Sequence, residues 1–187
     1  MIPAKEFYMI RHGESVANRD RYFSGNLDVA LTDLGRQQAE AAGNVLVRKK
    51  ITLSLIVHSH LSRARDTATI LNKNIKATMT QTALLGEHNF GEWEKQPWDE
   101  IRPRFFAGEN PPGGETHEAF HERVKTGFHF ALNLHEKPML IVCHGGIFRA
   151  LHCFYGAPFE RTENAKLYHF KPAEQTPEFP WKITLIE

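Results

Sequence analysis

The feature that most constrains this chain is an alternation: short apolar runs that end abruptly in polar residues, separated by stretches with helical periodicity. Residues 5–10 (KEFYMI) read as a buried strand that stops at RHGES. Thr32-Asp33 opens LTDLGRQQAEAAGNVLVRKK, in which Leu34, Ala41, Val45 and Leu46 recur at roughly helical spacing and basic residues crowd the end. Residues 53–59 (LSLIVHS) predict a second strand and SRARDTATILNK a second helix, and KATMTQTALL is a third β-like stretch leading to Glu87. HEAFHERVKTGFHFALNL reads as a long helix, residues 138–144 (PMLIVCH) as the most apolar strand and GGIFRALHCFYG as another helix, with AKLYHF and WKITLIE as closing strands. This order predicts an α/β fold, a three-layer αβα sandwich with a mostly parallel sheet and helices on both faces. A chain of 187 residues suits one domain, 1–187. Within it, residues 88–116 are rich in Gly, Pro and aromatics, close in Pro111-Pro112-Gly113-Gly114, and read as a lid of loop and short helix.

Composition removes several function classes. A formal net charge of +1 offers no global field to nucleic acid or to an acidic membrane, so any anion must be held by a local basic site. The apolar run before Arg11 is too short for a signal peptide, and no later stretch reaches membrane-spanning length. Cys143 and Cys153 have no Cys-x-x-Cys spacing, which fits a reducing compartment. A cytoplasmic protein is expected.

In open α/β sheets, ligands bind beyond the carboxyl ends of the strands. Those ends carry Arg11-His12, Ser59 to Arg63, Glu87 and His144. Two of them share one form, an apolar strand followed by His-Gly, where glycine permits a sharp turn and close approach to a ligand. Gly145-Gly146 also opens a helix, whose free N–H groups favour an anion. Two arginines, two histidines and a carboxylate in one crevice suit a phosphate ester. Guanidinium forks bind phosphoryl oxygens, a histidine can attack phosphorus, and a carboxylic acid can protonate the departing oxygen.

Arg11-His12-Gly13-Glu14-Ser15, with Asn18 following, resembles the signature of the histidine phosphatase superfamily, the phosphoglycerate mutase-like proteins. The resemblance continues through Gly25, Asp28, Leu31-Thr32, Gly35 and Gln38, then Ser59-x-Leu61-x-Arg63-Ala64-x-x-Thr67-Ala68. Leu85-x-Glu87 with Phe90-Gly91-x-Trp93-Glu94, Pro112-Gly113-Gly114-Glu115-Thr116 and Val142-Cys143-His144-Gly145-Gly146 complete it. It implies His12 as nucleophile, Arg11, Arg63 and His144 as the phosphoryl clamp, and Glu87 as general acid and then base. Asn18, Ser24, Gly25 and Gly145 are candidate substrate-binding positions, and neither step needs a metal or an organic cofactor. His60, Asp66 and Lys95 depart from residues common in the family: proline, glutamine and glycine respectively.

Other readings remain in view. His117-Glu118-Ala119-Phe120-His121 fits the H-E-x-x-H zinc peptidase pattern but lacks a third ligand at metzincin spacing. Cys143 and Arg149 fit C-x-x-x-x-x-R, the loop of cysteine-dependent phosphatases, but Val142 and Ala150 stand where that class has His and Ser or Thr. A non-catalytic relative and a phosphoglycerate-mutase-type transfer are further alternatives. The short lid tilts the resemblance towards a phosphatase acting on a small-molecule phosphate monoester, close to the α-ribazole-phosphate phosphatase type and broad-specificity relatives. Trp93, Trp98, Phe105 and Phe106 could form an aromatic rim or a local core, and Arg102 and Arg104 could meet a second anion or simply face solvent. Oligomeric state is not readable.

Overall fold

The computed structural model describes residues 1–134, 137–158, 161–173 and 179–187. Its six strands are β1 (Phe7–Arg11), β2 (Leu55–Ser59), β3 (Thr78–Thr82), β4 (Leu140–Cys143), β5 (Leu167–Pro172) and β6 (Trp181–Ile186). They form one sheet in the order β3-β2-β4-β1-β5-β6. The first four strands run parallel, and β5 returns antiparallel to β1.

Helices cover both faces, as expected. Along β1, Phe7 and Met9 point to the face packed by α5 (His117–Asn133) and α6 (Gly145–Cys153), while Tyr8 and Ile10 point to the face packed by α2 (Asp33–Arg48) and α3 (Ser62–Asn72). The period-2 alternation of a strand buried on both sides is what makes KEFYMI apolar throughout. Phe7 anchors the first layer, stacked on Phe170 at 4.7 Å and meeting the edge of Trp181 at 5.6 Å. Thr32 caps α2 and Thr116 caps α5, each hydroxyl accepting a backbone N–H three residues on.

The buried stripe of α2 differs from the expected one. Leu34 and Ala41 are exposed; Gly35, Ala39, Ala42, Gly43 and Leu46 face inward. Small residues let α2 approach α3 so closely that a Cβ on Gly43 would meet the Leu71 backbone at 2.9 Å. Residues 83–85 turn as a short 3-10 helix, so the third strand ends at Thr82, earlier than its apolar pattern suggests. A one-turn helix, α1 (Val16–Arg19), closes the loop after β1 through a reciprocal cap between Ser15 and Asn18.

The 88–116 segment contains a 3-10 turn at Gly91–Trp93 and the helix α4 (Trp98–Phe106). Its own small core is Phe90, Trp93, Ile101 and Phe105, with Phe23 packed against it. No helix among the described residues is long and apolar enough to cross a membrane.

Candidate active site

Strand register assembles the site. β1 and β4 are parallel neighbours with Arg11 opposite Cys143, so the next residues, His12 and His144, emerge side by side with ring centroids 5.2 Å apart. β2 lies on the other side of β4, and its last residue, Ser59, meets His144: Nε2 lies 2.8 Å from Ser59 Oγ. A hydroxyl that donates to Nε2 leaves Nδ1 carrying the proton. That Nδ1 is buried without a hydrogen-bond partner among the described residues.

His12 is held for the opposite purpose. Its Nδ1–H donates to the Gly13 carbonyl at 2.7 Å, which leaves the Nε2 lone pair on a ring that lines the cavity. Burial, reinforced by Arg63 and Arg11, keeps its pKa well below the ordinary histidine range despite that hydrogen bond. Burial and then Arg63 do the same to His144. Both rings are therefore neutral at neutral pH. The loop bearing His12 is tied to α2: the Glu14 N–H donates to Gln38 Oε1, the Thr32 hydroxyl donates to the Glu14 carboxylate, and a Cβ at Gly13 would collide with the Gly35 carbonyl. Gly13 is thus needed for loop-on-helix packing, more than for the close approach of a ligand.

The two arginines are fixed by backbone carbonyls. Arg63, 1% exposed, donates to the Gly25 and Leu27 carbonyls at 2.7 and 2.8 Å, and Arg11 donates to that of Thr162 at 2.9 Å. Burial pulls both guanidinium pKa values down to about 10, with Glu87 opposing it, so both stay charged. The Nε of each is buried with no partner among the described residues. Buried donors without partners are rare, and a group of phosphoryl oxygens would satisfy them.

Glu87 faces this cluster from the turn after β3. Its carboxylate accepts the His88 N–H at 2.9 Å and the Gly146 N–H at 3.1 Å, and a Cβ at Gly146 would strike Glu87 Oε1. The positive end of α6 is therefore partly engaged by the candidate acid. Arg123 on α5, which no sequence pattern marked, ties down the turn. It pairs through two bonds with Glu115 at 2.7 Å and donates to the carbonyls of Ala83, Leu84, Gly86 and Glu87. Asn164 was equally unmarked. Its amide donates to the His12 carbonyl and to Asn18 Oδ1. The Asn18 oxygen also accepts the Ser15 N–H, so the amide of Asn18 keeps its NH₂ for other work.

Arg11, His12, Asn18, Arg63 and Glu87 line a cavity of about 410 Å³ that also includes Ser24, Gly25 and Gly145, whereas His144 is fully buried beside His12, behind the lining. The aromatic residues divide: Trp93 and Phe105 are buried core of the 88–116 segment, whereas Trp98 and the 68%-exposed Phe106 sit on the cavity rim. The arginines divide too. Arg102 faces the cavity over Trp98, while Arg104 lies over Trp93 and pairs with Glu109. Arg149, Arg161 and Thr162 join the lining without having been expected there. Lys95 adopts a left-handed φ of +67°, the conformation that makes glycine common at its position. His60 is half-buried against Gly86, and Asp66 pairs with its neighbour Arg65.

The two decoy motifs are accounted for locally. His117 donates to the Glu109 carbonyl and stacks on Phe105, and no group of three potential metal ligands occurs among the described residues. Cys143 is a core residue of β4, and burial pushes its thiol pKa far up, away from a thiolate.

The sequence pattern of the histidine phosphatase superfamily (branch 1) matches residues 7–180. The chain belongs to that superfamily. It is 31% identical over 164 residues to the glucosyl-3-phosphoglycerate phosphatase of Mycolicibacterium vanbaalenii, covering 79% of this chain and 72% of that one. It is 30% identical over 160 residues to phosphoglycerate mutase-like protein 4 of Arabidopsis thaliana, covering 79% and 69%. Among solved structures, the α-ribazole phosphatase of Shigella flexneri shares the fold with a TM-score of 0.80 at 24% identity, over 97% of this chain and 96% of that one. The expected family, and an enzyme of the phosphatase kind within it, are thereby met.

Proposed function

We propose that this histidine phosphatase hydrolyses a small-molecule phosphate monoester through a phosphohistidine on His12, with no metal or cofactor. The observation that carries the reading is the commitment of His12 Nδ1 to the Gly13 carbonyl, which leaves a neutral Nε2 in a cavity lined by the charged Arg11 and Arg63. Nε2 attacks phosphorus as the ester P–O bond breaks, and the leaving oxygen takes the Glu87 proton. Arg11, Arg63 and His144 hold the phosphoryl oxygens, with Asn18, Ser24, Gly25 and the Gly145 N–H as supporting contacts. Water then attacks the phosphohistidine, giving its proton to Glu87 as the N–P bond breaks and orthophosphate leaves.

Residues 88–116 act as the lid of a single domain. Exposed Phe106 and Arg161 at the cavity mouth leave a route for water, which favours hydrolysis over mutase-type transfer. A cytoplasmic location fits the unpaired cysteines.

The test is hydrolysis of 4-nitrophenyl phosphate in excess chelator, with wild type and His12→Ala side by side. Wild-type turnover, with a loss of about 10⁴-fold or more in the variant, is expected. Undiminished turnover by His12→Ala, or loss of wild-type activity to the chelator, would sink the mechanism.

A further inference from the structure

The cavity carries more positive charge than a phosphoryl group needs. Arg11, Arg63, Arg102, Arg149 and Arg161 line it against the carboxylate of Glu87. A phosphoryl dianion balances Arg11 and Arg63, and Arg149 lies within the field of Glu87. Arg102 and Arg161 remain. Both guanidinium groups lie against Trp98, at 4.4 and 5.4 Å from its ring centroid. Neither has an ion-pair partner among the described residues; Asp99, whose charge reaches Arg102, pairs with Arg21 at 3.1 Å. Burial and then Arg161 lower the pKa of Arg102.

A second, independent sign lies next to them. Thr162 lines the same cavity and is 5% exposed, yet its hydroxyl has no hydrogen-bond partner among the described residues. Its carbonyl receives Arg11, which ties this end of the cavity to the phosphoryl clamp.

We propose that the substrate's leaving group carries a second anionic group, a carboxylate or a second phosphate, held by Arg102, Arg161 and the Thr162 hydroxyl beside Trp98. This rests on the phosphatase reading above. The aromatic rim of Trp98 and Phe106 then covers the body between the two anions.

The experiment compares 4-carboxyphenyl phosphate with its uncharged isostere, 4-carbamoylphenyl phosphate, and adds 1,4-phenylene bisphosphate as the second-phosphate arm. The kcat/KM ratio of carboxylate to carboxamide should be about tenfold or more in the wild type. It should fall to within about threefold of unity in Arg102→Gln/Arg161→Gln, and part-way in Arg161→Gln alone, a substitution at an exposed position. Whichever arm gains more, carboxylate or bisphosphate, names the second anion. A wild-type ratio near one for both arms, or a ratio unchanged in the double variant, overturns the proposal while leaving hydrolysis intact. Calorimetry with 4-carboxybenzylphosphonate and 4-carbamoylbenzylphosphonate separates the two readings. Tighter binding of the carboxylate without turnover of either ester supports the anion subsite and sinks the phosphatase; equal binding sinks the subsite.

Discussion

One end of the cavity rests on strand ends, the other on the 88–116 segment and residues 161–162, and the two are built differently. At the strand ends the main charged and titratable groups are buried or half-buried and tied to the protein: His12 to Gly13, His144 to Ser59, Arg63 to two carbonyls, Glu87 to two N–H groups. At the other end, Arg102 and Arg161 are held chiefly by stacking on Trp98, and Phe106 is largely exposed. A transition state rewards groups that need no reorganisation, so the first end is preorganised for chemistry. The second can adapt to the body of a ligand, which is where relatives of one fold diverge.

The largest expected effect breaks the rigid end at its tightest contact. Gly146→Ala places a methyl group against Glu87 Oε1 and removes the carboxyl from its seat on the helix end. The expected loss in kcat is about 10²–10⁴ for an alkyl phosphate, whose leaving oxygen needs a proton. It should be much smaller for 4-nitrophenyl phosphate, whose leaving group departs as the anion. Equal losses on both esters, measured by steady-state kinetics, would mean that Glu87 is not the proton donor.

The same division governed what the sequence could reveal. The positions of His12 and His144 were legible because an apolar strand that stops at a polar residue fixes where that residue emerges, and that of Arg63 because it follows such a stop; Glu87 instead lies five residues beyond the end of β3, after a 3-10 turn. Arg123 was not legible: on α5 it looks like any charged residue on a helix surface, and its five carbonyl and carboxylate partners come from distant turns. Residues 161–164 have no periodicity to betray that Thr162 and Asn164 reach back to Arg11 and His12. The buried face of α2 was misread because Gly35, Ala39 and Gly43 carry almost no hydropathy, although close packing on α3 is what they supply. In α4, Ile101 and Phe105 share a face four residues apart, and Phe106 lies about 100° further round the helix. Composition alone could not divide rim from core there.

A second prediction sharpens the contrast through pH. His12 and His144 have folded-state pKa values well below the unfolded value near 6.5, so below pH 6.5 the unfolded chain binds protons that the folded one refuses. Stability is fully present above that pH and is lost as pH falls towards the folded-state values. The two together contribute a slope of up to about 2.7 kcal/mol per pH unit. Urea unfolding between pH 7 and 5 should show a slope shallower by about 1 kcal/mol per unit on average in His12→Gln, approaching about 1.4 at the acid end, because one of the two protons is removed. An unchanged slope would mean that His12 is accessible and titrates normally.

The smallest effect is expected at the adaptable end. Phe106→Ala removes a ring that is 68% exposed and touches the edge of Phe105, so Tm should move by less than about 1 °C. KM for an aryl phosphate should rise about two- to fivefold with kcat nearly unchanged, because a rim contact made equally in ground and transition states is uniform binding. The same substitution should leave KM for a small alkyl phosphate unmoved, since such an ester ends before it reaches the rim. A fall in kcat on both esters would show instead that Phe106 and Arg149, 5.6 Å from its ring, help to set the position of Glu87. The two ends of the cavity would then be one mechanical unit.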